Sequence, residues 1–380
     1  MEKAVYNFSG TGLAGADEKL MSAARIAVLD ALKVKAGERV LVISNPMREV
    51  ALISMALYDA ALEAGGRPVL LFQPYKSQMD FAEDALVAAF EASPEVVISV
   101  SAGKLGKDRR GIAAPYRHGD KTYDHIFHLK QYGEGSCRAF WSPAVTLDSF
   151  IRTVPVDYGL LKERCARVGA ALDEASSVRV RAPGGTDIVI GLAGRKAKLD
   201  DGDFSKAGSG GNLPAGETFI SPENGTAEGL IVFDGSISLH DRDILIKSPI
   251  RCTVENGFVR EISGGREAYE LRETVTLAER NAVQFEREGR IPSGLGVLYA
   301  KNARNIGELG IGLNPAARIS GNMLEDEKAF NTCHFAIGQN YDEDAPSLIH
   351  LDGLVRNPTI TALMPDGSSR TIEQDGILSE

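Results

Sequence analysis

An imidazole and a carboxylate stand two positions apart in SLIHLDG, residues 347–353, inside an otherwise apolar run. Side chains alternate between the faces of a β-strand, so His350 and Asp352 share one face while Ile349 and Leu351 share the other. A polar pair on one face of a strand is either hydrogen-bonded in the core or bound to a metal ion. We interpret His350 and Asp352 as metal ligands, because more residues of ligand type lie nearby in the sequence.

Three of these residues lie in apolar, strand-like segments of the C-terminal half: Glu217 in NLPAGETF, Glu308 in NIGELGIGL and His334 in CHFAIG. A buried carboxylate needs compensating positive charge, and lysine and arginine are scarce in these segments. A divalent ion supplies that charge, since zinc, cobalt, manganese and iron all bind imidazole together with carboxylates. These residues, with His350 and Asp352, are enough for two ions that share a carboxylate.

An acidic cluster precedes His334 in SGNMLEDEKAFNTCH. Glu327 lies seven residues before His334, and the two would share a face if a helix continued between them. Glu327 is therefore a candidate ligand, or a general base for a metal-bound water. Alternatively, Glu325, Asp326 and Glu327 begin a solvated helix, where the helix dipole favours acids, and the sequence does not say which of them reaches the metal.

Tyr341, in GQNYDED, either donates a hydrogen bond to an oxyanion, ligates weakly or caps a loop.

Other residues of ligand type have simpler interpretations. A histidine trio lacks an acid at helical spacing and is expected to be hydrogen-bonded or on the surface: His118, His125 and His128. The four cysteines have no CxxC spacing and are expected to be buried, reduced thiols: Cys137, Cys165, Cys252 and Cys333.

The composition bounds the class of protein. The chain has 380 residues, of which 43% are hydrophobic and 25% charged, and this length favours two domains. A net charge of −10 and a single tryptophan argue against nucleic-acid binding, which needs clustered lysine and arginine. No apolar run approaches the ~20 residues that span a bilayer, and the N-terminus lacks a targeting pattern. We therefore expect a soluble cytoplasmic protein without a membrane or nucleic-acid partner.

Helical and strand-like patterns alternate in the first part of the chain, as in RVLVIS, REVALISMALYDAALEAGG and RPVLLF. This alternation predicts a mainly parallel sheet flanked by helices, and the absence of GxGxxG argues against nucleotide binding. Residues 104–150 are expected to be irregular. From about residue 177 the pattern becomes β-rich, with a type I′ hairpin at Asn256-Gly257 and one long helix in REAYELRETVTLAERNAVQFER. The prediction is an α/β domain over residues 1–176 and a β-rich α+β domain over 177–380 that carries the metal site.

The motifs NLPAGETF, ELGIGLNP, SGNMLEDE, CHFAIGQNY and LIHLDG, in that order, resemble the aminopeptidase T and aminopeptidase S family of dinuclear metalloaminopeptidases. The resemblance covers most of the chain and is specific in its last half. It implies a homodimer that cleaves small peptides with two zinc, cobalt or manganese ions, and it makes Tyr341 an active-site tyrosine. The metal ligands it implies are Glu217, Glu308, Glu327, His334, His350 and Asp352.

This sequence also departs from the family's pattern. Gly216 stands where the peptidases usually carry another acid, and the spacing between the acidic pair and His334 is longer than theirs. A 2,5-dihydroxypyridine ring-cleaving dioxygenase is similar in fold but uses two histidines and one aspartate on a single iron(II). Here that set could be His334, His350 and Asp352.

Three functions follow. The leading hypothesis is a metalloaminopeptidase, in which a metal-bound water attacks the peptide carbonyl, Glu327 or Glu308 moves the proton and Tyr341 steadies the oxyanion. The alternatives are a mononuclear iron(II) ring-cleaving dioxygenase and a non-catalytic binding descendant. The number of bound ions separates the first two, because only the dinuclear hydrolase needs Glu217 and Glu308 as ligands.

Overall fold

The structure is a computed structural model that describes residues 14–77 and 80–379. Residues 1–13, which include most of the segment judged to lack a targeting pattern, lie outside the described residues. The chain forms two compact units. One ends at Tyr158 and also includes Gly202–Ala215, and the other consists of Gly159–Asp201 and Gly216–Glu380. The predicted boundary, after residue 176, follows the C-terminal end of the helix Tyr158–Glu174, which lies in the second unit from Gly159 onwards.

The elements are numbered in chain order. The helices are α1 Ala14–Ile26, α2 Arg48–Glu63, α3 Asp84–Glu91, α4 Arg109–Ala113, α5 Ile126–His128, α6 Leu147–Thr153, α7 Tyr158–Glu174, α8 Arg266–Arg287, α9 Gly296–Asn302 and α10 Met323–Asp326, with π-helical turns at Ala27–Ala31 and Leu129–Gly133. The strands are β1 Arg39–Ser44, β2 Arg67–Phe72, β3 Val96–Ser101, β4 Tyr116–His118, β5 Lys121–Tyr123, β6 Arg138–Pro143, β7 Ser177–Arg181, β8 Asp187–Gly191, β9 Lys198–Asp200, β10 Gly210–Asn212, β11 Glu217–Ile220, β12 Glu228–Phe233, β13 Ser236–Ser238, β14 Asp243–Leu245, β15 Ile250–Glu255, β16 Phe258–Ser263, β17 Ile306–Gly312, β18 Thr332–Gly338, β19 His350–Arg356, β20 Thr359–Leu363, β21 Ser369–Gln374 and β22 Ile377–Leu378.

The first unit contains a parallel sheet in the order β10-β6-β3-β1-β2. The predicted parallel α/β arrangement is confirmed, and β3 is buried along its whole length, as expected for a strand covered on both faces. The expectation that residues 104–150 are irregular is wrong in part. β6 lies inside the sheet, between β3 and β10, although its sequence RAFWSP begins with arginine and ends in proline, which hid the strand pattern.

The second unit contains two antiparallel sheets, in the orders β14-β13-β19-β18-β17-β11-β9 and β16-β15-β12-β8-β7-β20-β21-β22. The predicted hairpin between β15 and β16 is confirmed, since Asn256 and Gly257 both have positive φ, at 51° and 80°, as a type I′ turn requires. The long helix α8 has the predicted bounds. The β-rich character predicted for the C-terminal part is thus confirmed.

The central strand β17 of the seven-stranded sheet is buried at every position. Its sequence places Glu308, Gly310 and Gly312 on one face, while Leu309 and Ile311 point into the core on the other. Gly310 lies opposite His334 in the neighbouring strand β18, and a methyl group at Gly310 would overlap the His334 ring. Gly310 therefore leaves space for the His334 side chain, and Gly312 leaves space for the backbone at Ala329.

Two further findings concern the cysteines and the helices. All four cysteines are buried and free, as predicted. Within the described part of the chain, none of the helices is both long enough and apolar enough to cross a membrane.

Candidate metal centre

Consecutive strands of the seven-stranded sheet deliver the polar side chains to one face. In sheet order they are Asp200 on β9, Glu217 on β11, Glu308 on β17, His334 on β18, and His350 with Asp352 on β19. The strand register aligns them, because Asp200 lies opposite Glu217, and Glu308 and Asp352 both lie opposite Ala336. Residues that are more than 150 positions apart in the chain thus meet because antiparallel neighbours share a face.

Glu308, His350 and Asp352 form the first candidate ligand group. The Nε2 atom of His350 lies 3.0 Å from Glu308 Oε2 and 3.2 Å from Asp352 Oδ1. Ligand atoms held roughly 2.0 to 2.2 Å from one ion lie about 3.0 to 3.5 Å from each other, so these separations suit one divalent cation. Asp352 Oδ1 is buried and accepts no hydrogen bond within the described residues, so its lone pairs are available to a cation.

The orientation of His350 is set by a backbone contact. Its Nδ1 atom donates a hydrogen bond to the carbonyl oxygen of Gln339 at 2.7 Å, since a carbonyl can only accept. In the neutral ring this leaves the lone pair on Nε2, the atom that faces Glu308 and Asp352. Such a bond to the second ring nitrogen is typical of metal-binding histidines.

Glu217, Glu327 and His334 form a second candidate ligand group beside the first. Glu217 Oε2 lies 3.6 Å from His334 Nε2 and accepts no hydrogen bond from any described residue. The two groups meet at Glu308, whose Oε1 lies 3.4 Å from His334 Nε2 while its Oε2 faces His350. Taken alone, this pair of groups resembles a site for two ions that share a carboxylate.

A lysine lies within the second group. The Lys328 side chain has no exposed surface, and its Nζ atom donates to Glu217 Oε1 at 2.7 Å and to Glu327 Oε1. Asp200 Oδ2 lies 3.6 Å from the same nitrogen. Burial would lower the pKa of Lys328, but the three carboxylates raise it well above its usual value, so the side chain is an ammonium ion.

The first group is strongly polarised. Burial opposes ionisation of Glu308, but hydrogen bonds from His334 and His350 lower its pKa. Burial likewise opposes ionisation of Asp352, while the charge of His350 lowers the pKa of Asp352 to about 2. In the metal-free centre these acids in turn raise the pKa of His350 well above its ordinary value, against the effect of burial. A metal ion bound here would displace that proton.

The pKa values of the acids around Lys328 shift upwards, opposite to those of Glu308 and Asp352. Burial raises the pKa of both Asp200 and Glu327 to about 8, although Lys328 opposes the shift. Burial also raises the pKa of Glu217. Burial opposes protonation of His334, but Glu308 raises the pKa of that ring to about 9. One ammonium is thus not enough to hold all the surrounding carboxylates in their charged form.

Tyr341 forms an aromatic wall next to the first group. Its ring centroid lies 5.0 Å from that of His350 and 5.0 Å from that of Phe219, and Lys198 Nζ lies 5.5 Å from the ring centre. The residue keeps 51% of its surface exposed, so it lies where the centre opens to solvent. Burial of its hydroxyl and the nearby Glu308 raise the pKa of Tyr341 well above its usual value, which keeps the phenol protonated.

Of the three acids in EDE, Glu327 is the one that lies in a ligand group. Its proximity to His334 does not come from a shared helix as considered above, because α10 ends at Asp326 and β18 begins only at Thr332. Glu325 and Asp326 are buried, so the solvated helix start is wrong for both. They accept hydrogen bonds from backbone N–H groups, Glu325 from Arg318 and Asp326 from residues 320 and 321.

Sequence reasoning missed Lys328 and Asp200. The segments NLPAGETF, NIGELGIGL and CHFAIG do lack lysine and arginine, but Lys328 directly follows Glu327 in the neighbouring acidic segment. Both residues stand in charged runs, EDEK and KLDDGD, which are typical of solvated surface. Neither run carries a local pattern that indicates burial.

The histidine trio belongs to the first unit and is not part of either ligand group. His125 is buried and its Nδ1 accepts a hydrogen bond from the Phe127 N–H, while His118 is exposed. The rings of His125 and His128 lie 5.6 Å apart, and burial lowers the pKa of both. The prediction of hydrogen-bonded or surface histidines is confirmed for His125 and His118.

Comparison with known protein families gives one match to the greater part of the chain. The family model of 2,5-dihydroxypyridine 5,6-dioxygenase, NicX, matches residues 146–360. The 2,5-dihydroxypyridine 5,6-dioxygenase of Pseudomonas putida is 32% identical over 113 residues, which are 30% of this chain and 32% of that protein. The match therefore spans about a third of the curated relative's length.

Two solved structures share the fold. 2,5-dihydroxypyridine dioxygenase from Pseudomonas putida superposes with a TM-score of 0.68 at 20% identity, over 96% of this chain and 97% of that one. Wild-type AmpT from Thermus thermophilus superposes with a TM-score of 0.66 at 17% identity, over 96% and 99%. The resemblance to aminopeptidase T is thus confirmed for the fold, while the family match points to the dioxygenase branch.

Proposed function

Because the chain belongs to the 2,5-dihydroxypyridine 5,6-dioxygenase family, we propose that it opens a hydroxylated pyridine-like ring with dioxygen, using ferrous iron at the candidate metal centre. The matched residues, 146–360, include every side chain of that centre. This proposal replaces peptide hydrolysis as the leading hypothesis, because the family match favours the reaction that the sequence motifs had suggested only as an alternative.

The observation that carries the proposal is the group of Glu308, His350 and Asp352, in which one imidazole nitrogen faces two carboxylates at 3.0 and 3.2 Å. One imidazole with two carboxylates on one side of an ion leaves other coordination positions open. Iron bound there would supply redox chemistry with dioxygen. This set differs from the triad first considered, since Glu308 takes the place of His334, which lies in the neighbouring group.

The surrounding residues suit a flat, hydroxylated substrate. The half-exposed Tyr341 ring, packed on Phe219 and His350, offers an aromatic face at the mouth of the centre. Aromatic rings associate with such faces at centroid distances of ~4.5 to 7 Å. His334 faces Glu308 and Glu217 and can hold or release a proton beside the first group.

The test is an oxygen-consumption assay. Purified protein is loaded with Fe²⁺ without air, mixed with 2,5-dihydroxypyridine and aerated buffer, and followed by an oxygen electrode and by the substrate's ultraviolet absorbance. We expect one dioxygen consumed per ring lost, and no consumption by the Asp352→Asn protein. Iron-loaded protein that leaves both oxygen and substrate unchanged would contradict this substrate.

A second candidate function, metalloaminopeptidase, is favoured by the adjacency of the two ligand groups, since Glu308 contacts both His334 and His350 as a shared carboxylate would. In that case Glu308 or Glu327 would move the proton and Tyr341 would face the oxyanion. Release of amino acids from short peptides by the zinc-, cobalt- or manganese-loaded chain, but not by its metal-free form, would establish it. Absence of both reactions in metal-loaded protein would leave the non-catalytic binding role.

A further inference from the structure

We propose that the ammonium group of Lys328 occupies the second cation position of this centre, so that the chain binds one metal ion, at Glu308, His350 and Asp352, instead of two. The inference rests on the proposed metal centre but does not depend on which reaction occurs there. It concerns the position where the structure departs from a dinuclear site.

Carboxylates surround the ammonium group of Lys328. Two of its three N–H donors have glutamate acceptors, and a third carboxylate lies nearby. Glu217 Oε1 lies 2.7 Å from Nζ, Glu327 Oε1 is in direct contact with it, and Asp200 Oδ2 lies at 3.6 Å. The side chain has no exposed surface, so no solvent competes for these contacts.

Two of these acids are also two of the three members of the second ligand group, Glu217, Glu327 and His334. A metal ion there would have to share both glutamates with the ammonium. An ammonium nitrogen has no lone pair, so Lys328 cannot join the ligands and only repels the ion. In a buried site little water screens that repulsion.

The first group lacks this obstacle. Glu308 and Asp352 have the His350 imidazole between them, and its Nε2 becomes a ligand when the ring is neutral. Lys328 therefore supplies at one end of the centre the positive charge that an ion supplies at the other. The second group then holds a lysine in place, and its acids are anchors instead of metal ligands.

The test counts ions in the whole chain. Metal-free protein is incubated without air with an excess of Fe²⁺ or, separately, Co²⁺, desalted and measured by elemental mass spectrometry. We expect one ion per chain in the wild type, one in Lys328→Arg, and two in Lys328→Met, whose uncharged side chain frees the acids. Two ions in the wild type, or one in a folded Lys328→Met protein, would overturn the inference.

Control variants distinguish a change in the number of bound ions from a loss of folding or of activity. Lys130→Met removes a lysine that is ion-paired with Glu134 in the first unit and should leave one ion. If Lys328→Met does not fold, the metal affinity of Glu217→Gln is measured instead. Because Glu217 anchors Lys328 and does not bind the ion, we expect an affinity for the single ion within about threefold of the wild type. A loss of tenfold or more, as for a group that supports a metal site directly, would refute the inference. One ion per chain without ring opening would refute only the proposed function. Two ions with ring opening would refute only this inference.

Discussion

At the scale of single residues, this protein is notable for the charge that it buries. Asp200, Glu217, Glu308 and Asp352 are each less than 10% exposed, on one face of a sheet. Isolated carboxylates in such a place cost far more than a folded chain can tolerate, so each needs a cation or a proton. Lys328, the histidines and an ion at the first ligand group meet that need in different parts of the centre.

Asp352→Asn tests the first ligand group. The amide keeps the shape of the side chain but removes the negative charge that faces His350. We expect metal binding at least about 100-fold weaker, with the fold retained, because a ligand contributes no less than the groups that support it. Calorimetric titration of metal into the metal-free protein measures this. Asp366→Asn, in an exposed turn, is the matched control, and equal affinity in the two variants would contradict the assignment.

Glu373 tests the pH dependence of stability outside the metal centre. Its side chain is fully buried, neither carboxylate oxygen has a hydrogen-bond partner within the described residues, and burial raises its pKa from 4.5 to about 8. Between these two values the folded state binds the proton that the unfolded state has released, so stability falls as the pH rises.

Glu373→Gln should remove this loss. Relative to the wild type, we expect the variant to gain up to about 4 kcal/mol in free energy of unfolding between pH 5 and pH 9. Urea unfolding across that range measures the difference, and the exposed Glu261→Gln serves as control. Parallel pH profiles for wild type and Glu373→Gln would show that the carboxyl group is not buried without a partner.

At the scale of elements, strand β17 decides whether the centre can form. Its ELGIG segment alternates a ligand and two glycines on the polar face with Leu309 and Ile311 on the core face. The absence of side chains at Gly310 and Gly312 is what admits the His334 ring from β18 and the segment around Ala329 from the preceding loop. A strand with ordinary residues there would bury the same apolar face but exclude the centre.

Gly310→Ala should therefore impair the centre more than the fold. The new methyl group would overlap the His334 imidazole and push it from its place beside Glu308. We expect a loss of about 1 to 3 kcal/mol in stability. We also expect at least about tenfold weaker metal binding, as when a group that orients a ligand is lost.

Gly235→Ala is the matched control, because its methyl group would meet the Leu354 side chain at 2.8 Å and no ligand. It should lower the melting temperature without changing the metal affinity. Equal effects of the two substitutions on metal affinity would mean that Gly310 is not needed to position His334.

At the scale of the whole molecule, the centre joins strands from β9 to β19 and so ties metal binding to folding of the second unit. Ligands this far apart in sequence are not assembled in the unfolded chain. An ion that binds only the folded state stabilises it by mass action. The homodimer implied by the resemblance stays a prediction, and sedimentation equilibrium would test it.

Metal removal should lower the melting temperature. At a free metal concentration of about 100 times the dissociation constant, binding adds about 2.7 kcal/mol. For a unit of this size each kcal/mol shifts the melting temperature by roughly 2 to 4 °C. Differential scanning calorimetry with a chelator, and then with Fe²⁺ restored, should show a reversible shift of several degrees that Asp352→Asn lacks. Identical melting curves in both conditions would contradict a metal site in the folded state.

Much of the fold and part of the metal centre could be predicted from the sequence. The parallel α/β part, the β-rich part, the Asn256-Gly257 turn and helix α8 follow from local pattern, because alternation, helical spacing and turn chemistry act between near neighbours. The same holds for His350 and Asp352, whose i, i+2 spacing on a strand fixes a shared face. The fold class and the His350–Asp352 pair are therefore encoded in local sequence patterns.

The grouping of the candidate ligands, in contrast, depends on the tertiary fold. Strand order places His334 with Glu217 and Glu327, and His350 and Asp352 with Glu308, and no local pattern encodes which strands become neighbours. It also turned Lys328 from an apparent surface charge into a buried ammonium held by three acids. Burial and charge pairing depend on contacts between segments that are distant in the sequence, and local patterns do not encode those contacts.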